Sequence, residues 1–451
     1  MEVVGDALVF LRTLKTKYGL GAVSVRVFGY THNIILDPTL AKRAFEHPPA
    51  SFDPTSITWT ILHRVFGAPA ASQHQYISVF RRMCALLTKY FLKRQYAAEI
   101  IARTATNMAE ILPQLIQVPG HGDCANTATQ LPPLVRRSFS RATLQALTGK
   151  TFLDAHPTLL DDLWTLDESF AELALGVPSW LPIPKLRRAS AARTRLTHAL
   201  EHFITLEQDA QDPTASDAIR SLNELWRSEN IPIPARTAIL TSIFWAMQPN
   251  STNAAFWMLL RILSTDNLAE RIRSETAPFI HPTPTSTSSI NINISTNTHD
   301  LPNSCPLLRA CFHETLRLHH GPWSTRRTRS AITLHTDKET YLIPCNEYIH
   351  VPHGLEYTSE THFQDAKTFN PDRFLRPEAR TESLHFFGAG SSMCKGYAYA
   401  EASILVFVAC ALHTWDIKPA HGQWKLPRAK STGGVERAVE DVDVSVTVRR
   451  L

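Results

Sequence analysis

Glycine is in short supply: 17 residues in a chain of 451, about half the usual ~7%. This excludes collagen-like, glycine-linker and repeated P-loop architectures. None occurs between Gly176 and Gly321, whereas Gly388, Gly390 and Gly396 cluster around one cysteine. Long hydrophobic runs are also missing. No stretch reaches the roughly 18 apolar residues of a membrane span, and Met1-Glu-Val-Val-Gly-Asp is no charged leader for a secretory signal. The sequence alone therefore reads as a soluble chain. The seven cysteines are scattered, odd in number and without a CxxC pair, so they form no disulfide framework and suit a reducing compartment. Charge of one sign is lacking too. Lys and Arg total 46 against 41 Asp and Glu, a balance of +5. Pairs such as Arg81-Arg82 and Arg187-Arg188 build no basic stripe, which argues against nucleic acid as a partner.

What the chain does have is apolar side chains, 44% of residues, and only 19% charge. That composition fills a large core and is unlike a disordered chain. Helical periodicity is expected over residues 6–18, 74–95, 97–117, 132–148, 157–175, 188–208 and 216–228. An apolar stretch from Ala235 to Ile262 is interrupted by Gln248-Pro-Asn-Ser-Thr-Asn253. Leu307 to Leu318 and the segment after Gly396 are further helices. Short alternating patterns near Val23–Phe28, Asn33–Pro38, 330–351 and Val442–Val448 predict strands, the last an edge strand. Residues 281–303 are low complexity and are expected to form a surface insertion that buries no core face. Length alone allows about three domains. Because both ends of the chain are expected to contribute to one minor sheet, a single domain over 1–451 is the simpler reading.

The strongest local signal is Phe387-Gly388-Ala389-Gly390-Ser391-Ser392-Met393-Cys394-Lys395-Gly396. Glycines four before and two after Cys394 permit positive φ and close approach of amides to sulfur. A following helix N-terminus favours thiolate. A lone thiolate screened by Phe387, with no second cysteine nearby, suits one axial bond to iron; zinc would need three or four ligands. The bland alternative is a buried cysteine after a glycine turn. Two other constellations accompany the loop. Glu314 and Arg317 lie three apart on an apolar helix and share a face, and Arg373 in Phe369-Asn-Pro-Asp-Arg-Phe374 is a third partner for a structural Glu–Arg–Arg network.

The ExxR pair, the FxPxRF segment and the FxxGxxxCxG loop, in this order and spacing, resemble the cytochrome P-450 superfamily over essentially the whole chain. The resemblance implies a mainly α fold with a minor β region, a triangular helical prism with heme between the long distal helix and the cysteine loop. It implies Cys394 as the proximal thiolate and metal ligand, with Phe387, Gly390 and Gly396 shaping the cofactor site. Arg326 resembles a propionate-binding position, and Arg81 or Arg82 is a further candidate; the alternative for each is a solvated arginine.

The sequence departs from the family pattern in several places. Ser392 stands where a basic residue usually holds a propionate, and no Trp-x-x-x-Arg occurs near residues 75–90. The acid–alcohol pair that relays protons to dioxygen is replaced by Pro249-Asn250. Proline should kink the distal helix, freeing the Trp245 carbonyl to hold water together with the amides of Gln248 and Asn250. A merely kinked core helix is the alternative. Gln248 and Asn250 are thus the candidate catalytic residues, with Ala246, Met247 and the region Ile57–Val65 as substrate contacts.

The run around Asn250 is similar to the branch containing sterol 7α- and 12α-hydroxylases and prostacyclin synthase. The implied activity is monooxygenation of a hydrophobic small molecule (terpenoid, sterol-like or polyketide) in fungal secondary metabolism. Dioxygen and electrons from an NADPH-cytochrome P-450 reductase would be consumed. A reductase-independent heme isomerase or dehydratase and an inert heme-binding scaffold are the alternatives. The resemblance also implies association with the cytoplasmic face of the endoplasmic reticulum, although no anchor precedes the first helix in this sequence.

Overall fold

In a computed structural model of the chain, all residues are described except 1–2, 28, 117–126, 179, 207, 285–289, 295–297, 337–338, 377–383, 391–392 and 450–451. Helix predominates, and most helices fall where apolar spacing predicts them: Gln73–Leu92, Arg94–Gln114, Leu131–Thr148, Pro184–Thr205 and Asp217–Ser228. The segment expected as one helix over 157–175 is divided at Ser169 into Leu159–Glu168 and Phe170–Ala174. Local chemistry marks several starts. Asp37 accepts hydrogen bonds from the Thr39 and Leu40 amides ahead of the helix Pro38–Glu46, and Pro38 occupies the first turn, where its missing N–H costs nothing.

The chain forms two interleaved units. One comprises Met1–Thr58, His313–Cys394 and Arg428–Val439. Its four-stranded sheet runs in the order Ala22–Val27, Tyr30–Ile35, Tyr348–Pro352, Trp323–Arg327. Side chains alternate across the sheet. Ile35, Ile349 and Val351 pack on one face with Leu40, Ala44 and Phe52. On the other, Val23, Ile34 and Trp323 meet Leu8, Leu11 and Leu14 of the helix Val3–Tyr18.

The other unit comprises Trp59–Phe312, Lys395–Pro427 and Glu440–Leu451. Its centre is the helix Tyr397–Thr414, packed against Arg94–Gln114 and Pro249–Leu263. Among the described residues this is the one helix long and apolar enough to cross a membrane, yet 83% of it is buried inside the protein, which is what an all-round apolar core helix requires. Its aromatic contacts are edge-on, Phe407 with Phe139 at 5.5 Å and Tyr399 with Phe91 at 5.4 Å. The buried Tyr399 hydroxyl is bonded to Thr104 Oγ1 at 2.9 Å.

Three expectations are corrected here. The two chain ends do not share a sheet. Asp443–Val448 lies between Trp415–Pro419 and Thr127–Gln130 in the second unit, while the N-terminal strands belong to the first. Nor is it an edge strand. Alternation tells which side chains of a strand are buried, here Val444 and Val446, but not which strands pair with it. Finally, within 281–303 the strand Ile290–Ile294 pairs antiparallel with Ile280–Pro284, and Thr298 and Leu301 are fully buried. The alternation Ile-Asn-Ile-Asn-Ile was a strand signal hidden in a low-complexity composition.

Candidate functional site

The helix Pro306–His319 carries Glu314 and Arg317 one turn apart. Both side chains are fully buried, with Arg317 Nε donating to Glu314 Oε2 at 2.7 Å and Nη2 to Oε1 at 2.8 Å. Arg373 Nε donates to the same carboxylate at 3.0 Å, completing the expected three-residue network. Two guanidiniums facing one carboxylate leave N–H groups over. Peptide carbonyls take them: Tyr357 and Ala366 accept from Arg317 Nη1, each at 2.7 Å, and Gln364 accepts from Arg373 Nη1 at 3.0 Å. Every charge is thereby bonded, the condition for tolerating ions in a core. The network ties the segment 357–373 to the helix, ahead of the cysteine loop in sequence.

In the loop, Gly388 and Gly390 adopt φ of +77° and +65°. Cys394 N–H donates to the Phe387 carbonyl at 2.9 Å and Met393 N–H to that of Gly390 at 3.1 Å. Gly396 departs from expectation: its φ is −102°, and it caps the helix Tyr397–Thr414 without a left-handed turn. Gly390 is needed for a second reason. A Cβ there would lie 2.5 Å from Arg326 Nη2.

Arg326, on the strand Trp323–Arg327, is buried and is no solvated arginine. Nη2 donates to the Ala389 carbonyl at 3.2 Å and Nη1 to that of Ala44 at 3.3 Å. Phe45 and Phe52 flank the guanidinium at 4.8 and 4.9 Å. Its Nε is buried without a partner. Burial lowers its pKa, but a guanidinium stays charged. Arg82 is exposed and paired with Glu229 at 2.8 Å, so it is committed elsewhere. Ser392 lies outside the described residues.

The distal segment is more than kinked. One helix ends at Ala246 and the next begins at Pro249. The Trp245 carbonyl is not freed, because Gln248 N–H bends back to it at 3.0 Å, a tighter turn that replaces the bond proline cannot make. Trp245 itself stacks on Phe170 at 4.4 Å and donates its indole N–H to Asp167 at 2.9 Å.

Gln248 and Asn250 have different surroundings, Gln248 in the break between the helices and Asn250 in the first turn of the second. Gln248 is buried against the helix Leu131–Thr148, where Nε2 bonds Thr143 Oγ1 at 3.3 Å and Oε1 has no partner. Asn250 is exposed together with Ala246, one turn away. Thr252, within the same polar patch, presents a buried hydroxyl without a partner; nothing in that run of polar side chains sets it apart from its neighbours in the sequence. Of the expected substrate region, Trp59, Leu62 and Val65 are buried in packing. Gln248→Leu should therefore change stability by no more than about 1 kcal/mol, since it removes one long hydrogen bond and one unsatisfied oxygen. Asn250→Ala, at the candidate catalytic residue, should cut turnover by roughly a hundredfold or more. Chemical unfolding and steady-state kinetics on both variants check this.

A cavity of about 1260 Å³ opens in the first unit, with Phe45, His353, His385 and Gly390 in its wall. Among the described residues no three His, Cys, Asp or Glu side chains gather to hold a metal ion. The Cys394 thiol on its glycine-shaped loop suits iron that arrives with four macrocycle nitrogens, and the unpartnered, buried Arg326 Nε suits a carboxylate of that macrocycle. Both features fit heme, and the class they define is a heme-thiolate protein. Sequence comparison reaches the same class independently. The Cytochrome P450 family model matches residues 5–440, and the chain belongs to that family, as an oxidoreductase of the cytochrome P450 monooxygenase kind with heme as its cofactor.

Among its relatives, a cytochrome P450 monooxygenase of Gibberella zeae is 26% identical over 439 residues, covering 94% of this chain and 80% of that protein. Cytochrome P450 monooxygenase poxD of Penicillium oxalicum is 28% identical over 64% of this chain and 58% of its own length. Cytochrome P450 7A1 of Oryctolagus cuniculus is 24% identical over 65% and 60%. The last two alignments span less than two thirds of those proteins.

Proposed function

We propose that this chain hydroxylates or otherwise oxidises a hydrophobic small molecule, of terpenoid, sterol-like or polyketide type, in secondary metabolism. It would use dioxygen and electrons delivered by an NADPH-dependent reductase, with the whole chain acting as one catalytic domain. The observation that carries the reading is the Cys394 loop with the buried Arg326 guanidinium against it, its Nε without a partner. Heme, when bound, supplies the activation of dioxygen. Cys394 would hold its iron, Arg326 one propionate, and Phe387 and Gly390 would shape the loop around the sulfur. Asn250 would orient water and hold protons through its side-chain amide, in place of the missing acid. The fungal relatives support a natural-product substrate, and the similarity to cytochrome P450 7A1 supports a sterol-like shape. Association with the cytoplasmic face of the endoplasmic reticulum is supported by Leu175 and Trp180, 62% and 78% exposed in the linker before the helix Pro184–Thr205.

The test is turnover by the purified heme-loaded protein with a panel of such substrates. Oxygenated product should require both NADPH and reductase. A second reading, redox-neutral rearrangement, is favoured by one observation: the open side of the distal segment carries Asn250 and no carboxylate. Product formed from a peroxide substrate without NADPH would select that reading over the first. Heme-loaded protein inert in both assays would leave the inert scaffold.

A further inference from the structure

Ser324 and Arg326 are two apart on one strand and so point to the same side, both buried. That side meets the cysteine loop at two glycines. A Cβ at Gly388 would sit 3.4 Å from Ser324 Oγ, and one at Gly390 would strike Arg326 Nη2. Ser324 Oγ is hydrogen-bonded to His353 Nε2 at 2.8 Å. His353 stacks on Phe45, 5.6 Å between ring centroids, and Phe45 in turn lies under the Arg326 guanidinium. His385 meets His353 edge-on at 5.2 Å. His353 and His385 both line the first unit's cavity, beside Ala389 and Gly390.

We propose that the Ser324–His353 pair is a carboxylate-binding element that, with Arg326, holds a heme propionate and stands in for the basic residue absent two positions before Cys394. The proposal rests on the heme-thiolate reading above. Its chemistry follows from counting protons. A neutral imidazole and a hydroxyl carry one hydrogen each. One is used between them, so one remains whichever tautomer is present. If serine donates to Nε2, His353 Nδ1–H is spare; if Nε2–H donates to serine, the hydroxyl hydrogen is spare. Burial, the neighbouring His385 and the Arg326 cation hold His353 down at about 4, so near neutral pH it is this uncharged donor. A second cation beside Arg326 would add repulsion in the unliganded protein; a neutral donor adds a hydrogen bond without it.

The experiment measures heme loss from the heme-loaded protein to excess apomyoglobin, followed by Soret absorbance. It uses ordinary heme and, in parallel, heme whose two propionates are methyl esters. His353→Ala and Ser324→Ala should each speed loss of ordinary heme by about tenfold, the worth of one charge-assisted hydrogen bond, and should change loss of the diester little. His353→Gln, which keeps an N–H donor, should recover most of the retention. Circular dichroism of each variant checks the fold. Unchanged heme loss in His353→Ala overturns the proposal, as does equal acceleration with heme and diester, which would mean packing and not carboxylate binding. Failure of the unaltered protein to take up heme at all would instead defeat the heme-thiolate reading on which the proposal rests.

Discussion

Cys394→Ala abolishes the red-shifted Soret band of the reduced, CO-bound protein and weakens heme binding by more than the roughly 10–100-fold typical of a lost supporting residue. Cys394 differs from the other described cysteines, of which Cys305, Cys311 and Cys410 are buried. Burial pushes the Cys410 thiol up to about 12, and burial together with Glu275 does the same at Cys305, so both stay protonated and cannot act as thiolates at neutral pH. Burial also raises Cys84. Cys345 is exposed and bonded to the Arg329 carbonyl at 3.0 Å. Cys394 is exposed on a loop shaped by two left-handed glycines. Absorption spectra of Cys394→Ala beside Cys84→Ala and Cys345→Ala separate these cases, with the latter two keeping the band. A Cys394→Ala protein that retained it would refute the ligand assignment.

Glu314→Gln and Arg317→Ala each destabilise the protein by ~3–5 kcal/mol, the cost of leaving a buried ion without its partner. Against a total stability on the order of 5–15 kcal/mol, little soluble protein should survive. Glu314→Gln keeps the shape but leaves Arg317 and Arg373 facing an amide, with two positive charges unneutralised. Arg317→Ala leaves the buried carboxylate with Arg373 as its one cationic partner among the described residues, removes both bonds of the i,i+3 pair, and strands the carbonyls of Tyr357 and Ala366. Arg373→Ala should cost less, about 1–3 kcal/mol, because its side chain retains 14% exposure and water can replace it in part. Urea unfolding midpoints and heme content of the three variants measure the order. If Arg373→Ala proved as damaging as Glu314→Gln, the burial argument would fail.

Much of the proximal side could be read from local sequence, because its chemistry depends on short spacings. Three residues of helix put Glu314 and Arg317 on one face, and glycines placed around a cysteine announce a tight turn at sulfur. Arg326 was legible only as a position, nine residues past Arg317. That it is buried, that Gly390 exists partly to admit it, and that Ser324 and His353 stand beside it depend on strand pairing across tens of residues. The distal side was legible at Pro249, whose missing N–H removes a hydrogen bond from the middle of the apolar stretch, but not in its result. Whether the Trp245 carbonyl stayed free depended on whether the chain could tighten by one residue, and it did.

The sequence by itself determined most of the helices, the turn at the cysteine and the Glu314–Arg317 pair, since each arises from periodicity or contact within a few residues. Only the tertiary structure decided the partners. It placed Asp443–Val448 in the middle of a sheet separate from the N-terminal strands, and it turned Gln248 toward Thr143 while leaving Asn250 exposed. Both are long-range choices. Many strands and helix faces satisfy the same local pattern, and what selects among them is which surfaces can be buried together.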